Sequence, residues 1–329
     1  MTTRGRTKQI ALACALLALS ACSGINLPDA RNLAQAGHNS SAAMAEELEK
    51  RRAGMILWWD RDLVIQTFNN PSGEIDKDIR VRSLRVAKLI SARRKMLEEL
   101  SKAYIGFGNL AAYDASNEAE EGLKGFIGGA NGFIAAVGEV SGAKLEPIDS
   151  AVGSALGVGF GLLAEEALKR KVKQASSILR HGLDRTAAAL EKEKAIMASL
   201  DESIVKTEEN VRNTLLNLGL ATYQEPLDEL LKAVQVPGLR SIKDPDKAIN
   251  DQSAAMRGKI KSAFGKYMMT KAEDRAHVGS ERYEAQIGAL RDLIAEHQKL
   301  EDGQPISMAR LWDMLARLQP LAAAYQDRR

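Results

Sequence analysis

The chain has 329 residues, with 46 basic and 43 acidic side chains, 45% apolar and only 5% aromatic residues. Residues 1–21 hold Arg4, Arg6 and Lys8 and no acid, so the remainder sets 43 bases against 43 acids. That balance excludes the basic excess of a nucleic-acid binder. The apolar content excludes a disordered chain, and scarce aromatics suit slender helical packing.

In chain order, residues 1–9 are short, polar and basic, and residues 10–21, IALACALLALSA, are apolar. Twelve residues make about 18 Å of helix, whereas a bilayer core is about 30 Å. The segment therefore reads as the apolar region of a secretory signal and stays outside the fold. Leu19-Ser20-Ala21-Cys22 at its end resembles the lipobox of bacterial lipoprotein precursors. The resemblance covers residues 1–23. It implies cleavage before Cys22, acylation of the Cys22 thiol and new amine, and, through Ser23, sorting to the outer membrane. Cys14 and Cys22 are the two cysteines; Cys14 would leave with the leader and acylation would consume the other thiol, so no disulfide is expected. Several acyl chains would anchor the protein stably.

Residues 22–40, with Gly, Pro, Asn and Ser and no strong period, read as a flexible tether. Beyond it the eight prolines punctuate the chain, with 78 residues free of them between Pro147 and Pro226 and 59 between Pro245 and Pro305. Prolines at joints mark helical intervals. Helices are expected over 41–68, 76–116, 121–138, 148–217, 222–235, 247–301 and 307–326. In 79–110, Ile79, Val86, Leu89, Met96, Leu100, Ala103, Phe107 and Leu110 alternate steps of three and four, interrupted by Arg82 and Arg93. Leu183, Leu190, Met197, Ile204, Val211 and Leu218 recur every seven residues, but Thr186, Glu193, Thr207 and Thr214 occupy the second seam. That pattern fits one edge of a bundle helix better than a two-stranded coiled coil. Met256, Ile260, Ala263 and Tyr267, then Tyr283, Ile287, Leu290, Ile294 and His297, continue the three–four step. The expected fold is all-α: an elongated antiparallel bundle of long helices over 41–302, with a C-terminal helix in 303–329 packing on it. Asn69 to Gly73 and Asp302 to Pro305 read as turns, with Ser307 as an N-cap.

Residues 122–164 hold 11 of the 26 glycines and read as an apolar helical hairpin. Gly153, Gly157 and Gly161 stand four apart, as do Gly128 and Gly132, and Gly125 and Gly129, so each set forms a ridge along one helix. Such ridges allow close helix approach and are favoured in membranes, whereas in water each glycine costs about 0.5–1 kcal/mol. Two readings stand side by side: a hairpin packed within the bundle, or one that inserts into a membrane. In architecture the second is similar to the α-helical pore-forming toxins.

No residue set points to catalysis. The four histidines are His38, His181, His277 and His297; the last two lie about 30 Å apart on one helix and cannot share a metal. His297 on a seam reads as a core or partner contact. HExxH, CxxC and GxxxxGK are absent, and Gly153-Ser154 lacks the nucleophile-elbow spacing. Glu46-Glu47-Glu49 and Glu208-Glu209 read as solvated faces. Trp58-Trp59 reads as one core and one edge residue, and Trp312 joins Met308, Leu311, Leu315 and Leu318 as a packing face. The sequence thus anticipates a non-enzymatic scaffold or interaction protein of the bacterial envelope without metal, cofactor or small-molecule substrate. It would be held at a membrane through its lipid, with a protein partner or self-association. The alternative is membrane insertion through the glycine hairpin.

Overall fold

The computed structural model describes residues 24–69, 77–112, 118–141, 164–224, 227–228 and 244–323. Among these the chain is an all-α helical bundle: α1 (Leu27–Asn69), α2 (Lys77–Ala111), α3 (Glu118–Ser141), α4 (Ala164–Asn217), α5 (Pro245–Asn250), α6 (Ala254–Glu301) and α7 (Met308–Ala323). The chain divides into two compact units. Unit 1 gathers Met1–Lys50, Leu89–Lys192 and Ala285–Arg329, and unit 2 gathers Arg51–Lys88 and Glu193–Glu284. The long helices α1, α2, α4 and α6 each contribute a stretch to both units.

The helix ends follow local chemistry. Pro28 sits in the first turn of α1, where its missing N–H costs nothing. Asp244 caps α5 through a 2.9 Å bond from the Lys247 N–H, with Pro245 next to it. Ser253 and Ser307 accept the Met256 and Arg310 N–H groups at 3.3 Å, and so cap α6 and α7. Gly219 and Gly303, at φ 70° and 67°, stop α4 and α6 in the left-handed conformation.

Within unit 1, neighbouring positions run in opposite order along α1 and α2. A Cβ on Gly108 would meet Ala34, one on Gly37 would meet the Tyr104 ring, His38 bonds Ser101 at 2.7 Å, and Glu49 pairs with Arg94 at 2.6 Å. The two helices are therefore antiparallel there, as are α2 and α3, where Gly106 faces Phe126 and Gly129 faces Ala103. In α7, Arg310 reaches Glu296 and Arg317 reaches Asp292, so α7 folds back along α6. The unit 1 core is made largely of Leu, Ala, Met and Phe, including Leu33, Met44, Met96, Leu100, Phe107, Phe126, Phe133, Leu183 and Leu290. In unit 2 the contacts Arg51–Asp201 and Trp58–Thr207 rise together along α1 and α4, and Lys194–Glu284 and Asp201–Gly279 run oppositely along α4 and α6. A small cluster there packs Leu216, Tyr223 and Ile249 on Ile260 and Phe264.

Several expectations change. Residues 27–40 are not a tether but the first turns of α1, with Ala30, Leu33, Ala34 and Ala36 buried. The polar look of this segment misleads because its small residues permit close packing: Ser40 and Ser41 are buried and return their hydroxyls to the Gly37 carbonyl. The helix expected over 247–301 is broken at 251–253 by the Ser253 cap. In the first half of α6, Ile260 and Phe264 pack on the Tyr223 cluster and Met268, Ala272 and Ala276 are buried, whereas Met256 and Ala263 are exposed. Leu293, not Ile294, is fully buried in its second half. Leu218 is exposed just past the end of α4, so the heptad pattern outlasts the packing. Trp312 is 63% exposed, and the α7 packing face is Leu311, Met314 and Leu318. Trp58 and Trp59 are both half-buried, so neither is a core residue. The hairpin's second arm, the turn after Asn69 and most of 222–235 lie outside the described residues.

Candidate functional site

The positions singled out by the sequence divide sharply. Cys22, Gly153, Gly157 and Gly161 lie outside the described residues. Gly125 and Gly128 are exposed on α3, and a Cβ on either would meet nothing within 4 Å. A Cβ on Gly129 would stand 2.6 Å from the Ala103 backbone nitrogen, one on Gly132 would collide with the Glu99 carboxylate, and one on Gly106 would collide with the Phe126 backbone. Gly106 and Gly129 are thus where α2 and α3 touch backbone to backbone, and their hydrogen side chains are required by contact. In each four-apart pair, Gly125 with Gly129 and Gly128 with Gly132, only the second glycine meets a close neighbour.

The chemistry concentrates instead on His297. Its ring is fully buried in unit 1 between the Tyr104 and Phe107 rings, each with its centroid 5.7 Å away. The Tyr104 hydroxyl lies 2.9 Å from Nε2, and the Ser176 hydroxyl 2.8 Å from Nδ1. Ser176 Oγ is also 3.2 Å from Glu301 Oε1, which Arg180 Nε approaches at 3.1 Å. A count of donors assigns the protons. Tyr104 donates to Nε2, the Nδ1–H donates to Ser176, Ser176 donates to Glu301, and Arg180 neutralises Glu301. Burial, with a smaller push from the Arg180 cation, lowers the His297 pKa from 6.5 to about 3, and burial raises the Tyr104 phenol well above 10. Both rings therefore hold the neutral forms that this chain of bonds requires.

Serine, histidine and glutamate in one place invite comparison with a hydrolytic triad, but the geometry is different. The carboxylate contacts the serine rather than the imidazole, the second ring nitrogen is taken by tyrosine, and Ser176 is itself fully buried. Triad chemistry needs the acid on the imidazole and an accessible hydroxyl. The arrangement joins α2, α4 and α6 as a polar knot. His297 was legible as a buried seam residue. Tyr104, Ser176, Arg180 and Glu301 were not, because the bonded partners stand 121 to 193 positions apart on different helices and share no motif.

A second buried site lies in unit 2. Arg51, 3% exposed, pairs with Asp201 at 3.1 Å, bonds the Gly279 carbonyl at 3.2 Å and stacks 5.5 Å over the Tyr283 ring. Burial raises the Asp201 pKa, while Arg51 and Arg282 oppose that rise. Gly279 leaves room for the carboxylate, since a Cβ there would stand 2.6 Å from it. Two acidic faces read as solvated need correction here. Glu47 and Glu209 are buried, at 2% and 0% exposure, because each lies on the inward side of its helix.

Among the described residues no cluster of three or more His, Cys, Asp or Glu has metal-binding geometry, and no helix is long and apolar enough to cross a membrane. No family model, curated protein or solved structure matches this chain.

Proposed function

We propose that this chain is a lipid-anchored bacterial envelope protein acting as a non-enzymatic helical scaffold. The observation that carries the proposal is the run of basic head, twelve apolar residues and Leu19-Ser20-Ala21-Cys22. A polar chemistry spent inward supports the scaffold reading: the imidazole, hydroxyl and carboxylate of the buried knot satisfy each other and bind three helices together. Helix faces then remain as the working surface. The packing of Gly129 against Ala103 favours a packed over an inserting first arm of the glycine hairpin.

Labelled palmitate is the direct test. It should enter the wild-type chain and fail to enter Cys22→Ala, and globomycin should block processing of the precursor. An unlabelled wild-type product overturns the anchored reading. For the scaffold half, crosslinking in cells should capture a discrete protein or a second copy; recovery of only the monomer counts against it.

A further inference from the structure

The N-terminal stretch of α2 has an inverted pattern. Ser83 is buried and Val86 and Ala87 are half-buried, while Val81 and Leu84 are 45% and 54% exposed. At 100° per residue, Arg80, Val81, Leu84, Arg85 and Lys88 fall within one arc of about 140°, opposite Ser83 and Ile90. All five are exposed. Arg80, Arg85 and Lys88 make no ion pair with any of the described residues, whereas Arg51, Arg61, Arg94, Arg180 and Arg310 all do. Three cations without an ion pair to any described residue thus surround two outward aliphatic side chains on one helix face.

We propose that this face of α2, from Arg80 to Lys88, docks on an anionic lipid headgroup layer. Long arginine and lysine stems place their charges at phosphate depth while short aliphatic side chains press between headgroups, the order of groups an interfacial helix needs. A second copy of the same face would bring like charges together without compensation, which disfavours self-pairing. The inference rests on the anchored reading only for the means by which the face reaches a membrane. Three charges give weak binding on their own, and a lipid tether would supply the effective concentration that makes such a contact persistent.

The test uses the full chain carrying Cys22→Ser, so that no acyl chain contributes, with vesicles of phosphatidylcholine alone or mixed with phosphatidylglycerol. Phosphatidylglycerol should strengthen binding, and that gain should shrink as salt is raised. Each charge contributes about fivefold, so Arg80→Gln/Arg85→Gln/Lys88→Gln should bind about a hundredfold more weakly with an unchanged helical spectrum. The leader is common to both proteins and cancels in that ratio. Leu84→Ser should weaken binding with its salt dependence intact. Equal binding by wild type and the triple variant overturns the proposal. So does self-association abolished by the same three substitutions, or capture of an acidic peptide without vesicle binding. Palmitate labelling at Cys22 reads the anchor independently, so the two proposals fail separately.

Discussion

Units 1 and 2 share α1, α2, α4 and α6, yet they close by different means. Among the described residues, unit 1 holds thirty-eight of the forty-nine buried apolar side chains, and unit 2 holds eleven of the fourteen large apolar side chains left exposed. Unit 1 uses glycine and alanine to bring backbones together and a neutral polar knot to fix register. Unit 2 relies on a buried charge pair, a small cluster around Tyr223, and faces that remain open. Helical periodicity alone therefore does not measure how tightly a stretch is packed. The deciding variable is whether small residues on facing helices coincide.

The comparison is broken most severely at Arg51. Removing one partner of a buried pair leaves a charge uncompensated, so Arg51→Met should destabilise by about 3–5 kcal/mol. The double change Arg51→Met/Asp201→Leu should recover most of that loss in a urea melt. Recovery would establish that unit 2 needs matched rather than charged residues; no recovery would make the pair stabilising in its own right.

The same question is put to unit 1 by a neighbouring pair of glycines. Gly129→Ala drives a methyl into the Ala103 backbone and should cost about 1–3 kcal/mol by overpacking. Gly128→Ala, exposed on the same helix, should stabilise by about 0.5–1 kcal/mol. Equal effects in denaturation would remove the close-approach argument.

Acid separates the units by sign. His297 titrates near 3 when folded and near 6.5 when unfolded, so the unfolded state binds more protons between these values. Its contribution to stability is intact above pH 6.5 and falls by roughly 1.4 kcal/mol for each unit of acidification down to pH 3. Asp201 acts oppositely: its raised folded pKa means that the folded state takes up the proton first, so acidification through that pKa relieves a cost in unit 2. Hydrogen exchange across pH should show protection lost earlier around α2 and α6 near His297. His297→Gln should cost about 1–3 kcal/mol at neutral pH through unmet partners, and should flatten the acid slope.

The smallest expected effect is at an open face. Ile56→Ser, at a side chain 47% exposed, should change stability by no more than about 0.5 kcal/mol.

The sequence by itself determined the helical class, the joints at Pro245 and Pro305, the Ser307 cap and the buried side of α2 from Met96 to Leu110, whereas Pro320 sits inside α7. Each is encoded within a few residues, by apolar steps of three and four or by a side chain reaching its own backbone. It also carries the lipobox resemblance, which needs no fold. What only the tertiary structure decided is which small residues meet. Ala34 opposite Gly108, Gly106 opposite Phe126 and the knot joining Tyr104, Ser176 and His297 all depend on register between distant helices. For the same reason residues 27–40 looked like a tether: alanine, serine and glycine are weak local signals, and they become a packing surface only when another helix lies close enough to use their lack of bulk.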